Sequence, residues 1–311
     1  MSLPRTARVT LCARVTLCTT LVAVLAGCGA SGSGSAPAAG GAGPSSAAPA
    51  VTKDAALAAK VPQAIAADGK LVVGSDASYA PNEFYAPDNN TVIVGMDVDL
   101  GTAVAQKLGL TADFQNSAFP GIIPGIQAGK YELGMSSFSI SPERLQTVDM
   151  VSYFSAGTSL AVKSGNPDKI NADDLCGKAV AVQGGTTQVD DLAKRNQACT
   201  AAGKPAIQVT ELQLQTDVNL ALTSGRVVAF LGDSPIVAYA AKTTDGAVEA
   251  VGQPYDTAPY GIVLNKNQGD FGAAIQGAVQ SLIDDGTYKA ILDKWNVGAG
   301  AIAKSEIDPS S

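Results

Sequence analysis

The residues with the densest chemistry are Gly134-Met135-Ser136-Ser137-Phe138-Ser139-Ile140-Ser141-Pro142-Glu143-Arg144. They follow Lys130-Tyr131-Glu132-Leu133, which reads as a short strand running into the centre of a domain. Three serines stand where that strand should end. Pro142 suits the first turn of a helix, where its missing N–H costs nothing. Arg144 falls in the same turn. Hydroxyls, free helix N–H groups and one guanidinium would meet there, which is the chemistry that holds a carboxylate. The same eleven residues also fit a plain helix start with a capping serine and a surface arginine.

The elements around this stretch alternate. Lys70–Gly74 reads as a strand, and Ser75–Pro81 as a polar loop. Thr91–Gly95 is a strand leading to a helix that ends at Leu108, with Gly109 as its stop. Thr111–Phe114 is a strand, and Phe119–Ala128 a helix closed by Gly129. After Arg144, Val148–Met150 precedes a loop, and Thr158–Val162 is a strand. A second unit then opens: strand Ala179–Val182, the turn Gln183-Gly184-Gly185-Thr186-Thr187-Gln188, and a helix through Ala198. Gln208–Thr210 is a strand and Gln215–Ser224 a helix. Val227–Asp233 is an apolar strand ending on an acid, and Pro259–Leu264 a later strand. Phe271–Ile283 and Tyr288–Trp295 are amphipathic helices. This is the pattern of an α/β fold with mostly parallel sheets. Polar groups sit at the carboxyl ends of strands, where open α/β sheets bind ligands. Two such ends facing each other make a cleft between lobes.

Composition narrows the chemistry. The 311 residues contain no histidine, which excludes Ser-His-Asp and Cys-His catalysis and imidazole-ligated metal. The net charge of −7 argues against binding nucleic acid by phosphate neutralisation.

The N-terminus reads as a targeting segment. Arg5, Arg8 and Arg14 precede an apolar run, Thr16–Ala26, too short to span a bilayer with these flanks. Leu25-Ala26-Gly27-Cys28 resembles a bacterial lipobox, in which Cys28 becomes the lipidated N-terminus. Gly, Ala, Ser and Pro dominate the residues behind it, the composition of a tether. Cys176 and Cys199 remain in the folded part, and an even count in an exported chain favours a disulfide over two buried thiols.

These motifs together resemble the family 3 extracellular solute-binding proteins, the amino-acid receptors of bacterial ABC importers, of the lysine/arginine/ornithine and glutamine type. The segments that carry the resemblance are Val94–Leu100, Ile122–Lys130, Ser139–Arg144, Val182–Thr187, Asp285–Tyr288 and Lys294-Trp295. It covers about residues 68 to 297. It implies a two-lobe periplasmic-binding-protein-like fold of type II, with two crossover strands and the ligand in the cleft. By that analogy residues 1–27 are a signal peptide, 28–60 the lipidated cysteine and tether, 61–159 and 253–298 lobe 1, 160–252 lobe 2, and 299–311 a tail.

The resemblance also assigns a pocket. Asp76 and Tyr79 match the loop after the first strand, and Phe119 the aromatic cover of the ligand side chain. Ser136, Ser137, Ser139 and Arg144 match the carboxylate and backbone contacts. Gln183 stands at the rim, and Thr186, Thr187 and Gln188 match second-lobe donors. Asp233 matches the acid that holds the α-ammonium. The chain departs from the family at Asn82, Met96 and Gln183. Asp76 between aromatic faces suits a cationic tail, and the same acid can accept from a glutamine amide. The implied partners are an amino acid, a permease with its ATPase, and the membrane through the lipid on Cys28, with no cofactor, no metal and no enzymatic turnover. The implied protein is an exported monomer on the outer face of the bacterial membrane. A ligand-sensing receptor and an enzyme on the same fold are the alternatives.

Overall fold

The computed structural model describes residues 50–309. The leader, Cys28 and most of the tether lie outside them. The chain runs α1 (Ala55–Ala58), α2 (Gln63–Ala66), β1 (Lys70–Ser75), β2 (Ser78–Tyr79), β3 (Glu83–Ala86), β4 (Asn89–Val94), α3 (Met96–Lys107), β5 (Thr111–Asn116), α4 (Phe119–Gln127), β6 (Leu133–Gly134) and α5 (Pro142–Leu145). It continues with β7 (Val148–Lys163), β8 (Ala179–Gln183), α6 (Thr187–Ala201), β9 (Gln208–Leu212), α7 (Gln215–Thr223), β10 (Ala229–Asp233), α8 (Ser234–Thr243), β11 (Val248–Asn265), α9 (Phe271–Asp284) and α10 (Thr287–Trp295).

The main sheet has the order β5-β1-β6-β11-β7-β10-β8-β9. Its wings, β5-β1-β6 and β10-β8-β9, are parallel, and they meet on the antiparallel pair β11/β7. Each wing has its own core. One cluster gathers Leu71, Val73, Leu100, Tyr153, Tyr260, Phe271 and Ile275. Leu160, Val180, Leu192 and Leu231 pack on one face of the other wing, and Val218, Leu222, Phe230 and Val237 on its opposite face. This is the two-lobe α/β fold expected, with β7 and β11 as the crossovers.

The structure corrects several element readings. The expected loop between Met150 and Thr158 is extended strand, paired with β11 through most of its length. Buried on both faces, β7 lacks the alternation of a half-exposed strand, and its Ser152, Ser155 and Gly157 imitate a loop. The strand expected at Lys130–Leu133 is β6, Leu133–Gly134. β3, α8 and the part of β11 before Pro259 have no counterpart in the sequence reading, and β2 lies within the expected loop Ser75–Pro81, paired with β3. The expected tether to residue 60 is too long: Asp54 Oδ1 caps α1 by accepting from the N–H of Ala56 and Leu57, and Leu57 packs against the core. The tail from 299 is also fastened. The Ser152 N–H donates to the Glu306 carbonyl at 2.9 Å, and the Asp308 N–H to that of Met150 at 2.8 Å, along the edge of β7.

One glycine sets the entry to α3. Gly95 has φ +144°, a conformation that side chains rarely adopt, and a Cβ there would collide with the Asn82 backbone. The close approach lets the Asp97 N–H reach the Asn82 carbonyl at 2.9 Å. It starts the helix with Asp97 fully buried.

Candidate functional site

Loops at the strand ends bring the expected residues together. Asp76, Tyr79, Phe119, Ser136, Ser137, Ser139, Arg144, Gln183, Thr186, Thr187, Gln188 and Asp233 line one narrow cavity between the lobes. Several hydrogen bonds run from lobe to lobe around it. Tyr79 Oη donates to Asp233 Oδ2 at 2.9 Å, and Gln183 Nε2 to Asp76 Oδ2 at 3.1 Å. Arg144 donates to the Gly185 carbonyl at 3.1 Å, and the Gln215 N–H to Ser78 Oγ at 3.1 Å. The lobes are therefore closed on each other.

Three charged side chains mark the cavity. The Arg144 guanidinium donates to the Ser139 carbonyl at 2.7 Å. It lies 5.5 Å from the Phe119 ring and 5.2 Å from Phe138, whose rings stack at 4.4 Å. Burial pulls its pKa down to about 10, opposed by the charges of Asp233 and Asp190, so it stays protonated at neutral pH. Asp233, 5% exposed, ends β10 and accepts from Tyr260 Oη at 2.6 Å, Gln188 Nε2 at 2.7 Å and Tyr79 Oη. Burial pushes its pKa up, and these donors and Arg144 restrain it. Asp76 follows β1 and is held by the N–H groups of Ser78 and Phe119 at 3.1 and 2.9 Å. Burial raises its pKa too, against those hydrogen bonds. Beside it, Gln183 Oε1 is buried with no partner.

Some expected contacts are redirected. α5 is a single turn, and the Arg144 N–H is taken by Ser141 Oγ at 3.4 Å. The stretch therefore offers a cation on an aromatic platform more than a helix terminus. Ser136 and Ser137 turn their hydroxyls to Glu83, at 3.0 and 3.2 Å. Ser137 has φ +53°, and its N–H donates to Asp97 Oδ2 at 2.9 Å. Thr186 Oγ1 donates to the Gln183 carbonyl at 2.8 Å, which fixes the turn before α6.

The sequence reading misses the layer beneath. Glu83 and Asp97 are fully buried and hydrogen-bonded to each other, and Tyr153 Oη donates to Asp97 at 2.7 Å. Desolvation raises both carboxyl pKa values, Asp97 to about 6 and Glu83 well above the ordinary carboxylate range. Tyr260 and Phe138, which back Asp233 and Arg144 without lining the cavity, are missed because an apolar run hides which aromatic side chain supports a site. The disulfide expected of Cys176 and Cys199 joins the loop before β8 to α6, with Cα atoms 5.6 Å apart.

Residues 71–298 match the family described as bacterial extracellular solute-binding proteins, family 3. The chain is 34% identical to the arginine-binding protein ArgT of Corynebacterium glutamicum over 251 residues, which cover 80% of this chain and 82% of that one. An ancestral arginine-binding protein solved with arginine bound has a TM-score of 0.67 at 34% identity, covering 73% of this chain and 98% of that one. The structure of an ancestral arginine-binding protein bound to glutamine gives the same TM-score and identity over 74% of this chain and 98% of that one.

Proposed function

Because the chain belongs to the bacterial extracellular solute-binding proteins of family 3, we propose that it captures a cationic or polar L-amino acid, arginine foremost, for the permease and ATPase of an ABC importer. The observation that carries the ligand class is the charge pattern of the cavity: one cation, Arg144, and two separate acids, Asp233 and Asp76. A buried charge needs a partner. Arginine carries one carboxylate and two cationic groups, so each end of the ligand finds its opposite. Arg144 takes the carboxylate, Asp233 the α-ammonium and Asp76 the guanidinium.

The unpartnered Gln183 Oε1 strengthens the assignment at the tail. A guanidinium has five N–H donors and no acceptor, so it satisfies Asp76 and Gln183 together. Glutamine brings an amide that Asp76 accepts but leaves that carboxylate charge without a counter-charge. The relatives named for arginine, and the ancestral structure with glutamine, fit this order of preference.

In this reading residues 61–159 and 253–298 make the first lobe and 160–252 the second. Cys28 carries the lipid that holds a monomer on the outer face of the membrane. The protein binds and releases its ligand unchanged.

Calorimetry with arginine, lysine, ornithine and glutamine tests the ligand. Arginine is expected to bind tightest, and Asp76→Asn to weaken it by roughly 30-fold or more, since breaking a buried charge pair costs about 2–5 kcal/mol. Glutamine should lose much less. Tight binding of a sugar, peptide or metal with no amino acid bound would overturn the proposal.

A further inference from the structure

Tyr260 is buried on β11 where that strand passes between the lobes. Its neighbours on the chain are hydrogen-bonded to the loop that leads to Arg144. The Gly261 N–H donates to the Phe138 carbonyl at 2.8 Å, and the Ile140 N–H to that of Pro259 at 2.8 Å. Ser139 and Tyr260 face each other as a bridge. The ring is fixed 5.4 Å from Phe154 and 6.0 Å from Tyr153. Main chain and ring thus belong to the Arg144 side of the cleft.

The hydroxyl does not. It reaches Asp233 Oδ2 at 2.6 Å, closer than Gln188 or Tyr79 reach that carboxylate. Tyr79 also donates from the opposite lobe, but from β2, which is no part of the crossover. Asp233 itself is paired with Thr158 of β7, and β7 with β11. The bond from Tyr260 therefore lies at the pivot and depends least on how far the lobes part.

We infer that Tyr260 is a positioning residue: from the crossover strand it orients Asp233 towards the ligand ammonium and couples that acid to the Arg144 end of the clamp. The inference rests on the amino-acid reading of the cavity. It goes beyond it in assigning a binding function to a side chain that does not line the cavity.

The inference gives a pH signature. Asp233 is faced by Tyr260 from β11, Tyr79 from β2, Gln188 from α6 and Arg144 from α5. Burial raises its pKa, and each of these groups opposes the rise, Tyr260 foremost. An ammonium needs the ionised acid, so affinity falls as pH drops through the pKa of Asp233. Without the Tyr260 hydroxyl the acid protonates more readily, and the fall begins at higher pH.

The test is a double-mutant cycle on the full chain, titrated with arginine across pH: wild type, Tyr260→Phe, Asp233→Asn and the double variant. Tyr260→Phe is expected to lose about ten-fold in affinity, the scale of one hydrogen bond to a charged group, with its acid limb shifted to higher pH. In the Asp233→Asn background the same change should cost less than about two-fold, because its effect is routed through the missing charge. Equal losses in both backgrounds, or an unshifted acid limb, would make Tyr260 merely structural while leaving the amino-acid reading intact. A general loss of packing affects both backgrounds and cancels in the comparison. If the wild type binds no amino acid, the amino-acid reading fails first and this inference with it.

Discussion

At the scale of single residues, the site is a set of charges held by neutral donors. Arg144→Ala and Asp233→Ala should each raise Kd by roughly 30-fold or more, on the order of 2–5 kcal/mol for a charge left unpaired. Ligand titration measures the loss, and melting without ligand separates it from any loss of fold. A collapsed melting temperature would make either residue structural. Part of the lining is readable in residue type and spacing, since the serines before Arg144, the threonines of the Gly184–Thr187 turn and Asp233 after its strand advertise a polar cleft, while Asp76, Tyr79, Phe119, Gln183 and Gln188 are assigned by the family resemblance. The directions of these side chains are not readable. Ser136 and Ser137 point to Glu83 because a second acid lies beneath them, and nothing local in the sequence announces an acid arriving from so far upstream.

At the scale of elements, the amphipathic helices α9 and α10 are legible because their apolar spacing is the period of the helix itself, and α3 from the Gly109 stop behind it. The crossover β7 is only half legible: Thr158–Val162 reads as a strand, but its first half, buried on both faces, has no alternation to read. β3 escapes too, and with it the pairing of its Glu83 with Asp97 at the start of α3. That pair gives the fold a pH dependence. Both folded-state pKa values lie above the ordinary carboxylate range, so the stabilisation is complete below about pH 4. It is lost as pH rises through Asp97's value of about 6 and towards that of Glu83. Glu83→Gln keeps a donor towards Asp97 and removes one ionisation. Its melting temperature should therefore fall less between about pH 5 and pH 8 than that of the wild type, and parallel curves would refute the raised carboxyl pKa of the pair.

At the scale of the whole molecule, two lobes joined by the crossover pair enclose a polar cavity. No helix among the described residues is long and apolar enough to cross a membrane. The lipobox at Leu25–Cys28 motivates the last prediction. Cys28→Ser should release the protein from the membrane fraction or stop its processing, as read by fractionation and mass of the mature chain. A variant that is cleaved normally and stays membrane-bound would refute lipid attachment.

The crossover pair has a consequence for the order in which the chain is made. The core clusters of the β10-β8-β9 wing are drawn wholly from Leu160 to Val251, one uninterrupted stretch. Its ends lie side by side, with Lys163 paired to Val248, so closing that stretch into a unit brings no distant termini together. The other wing is split in time. Leu71, Leu100 and Tyr153 emerge early, but their partners Tyr260, Phe271, Ile275, Val279 and Leu292 come only after the whole intervening lobe. During export the later-coded lobe is therefore the first to have all its residues present. The lobe that begins the protein waits, its apolar faces uncovered, for the final stretch of chain to arrive.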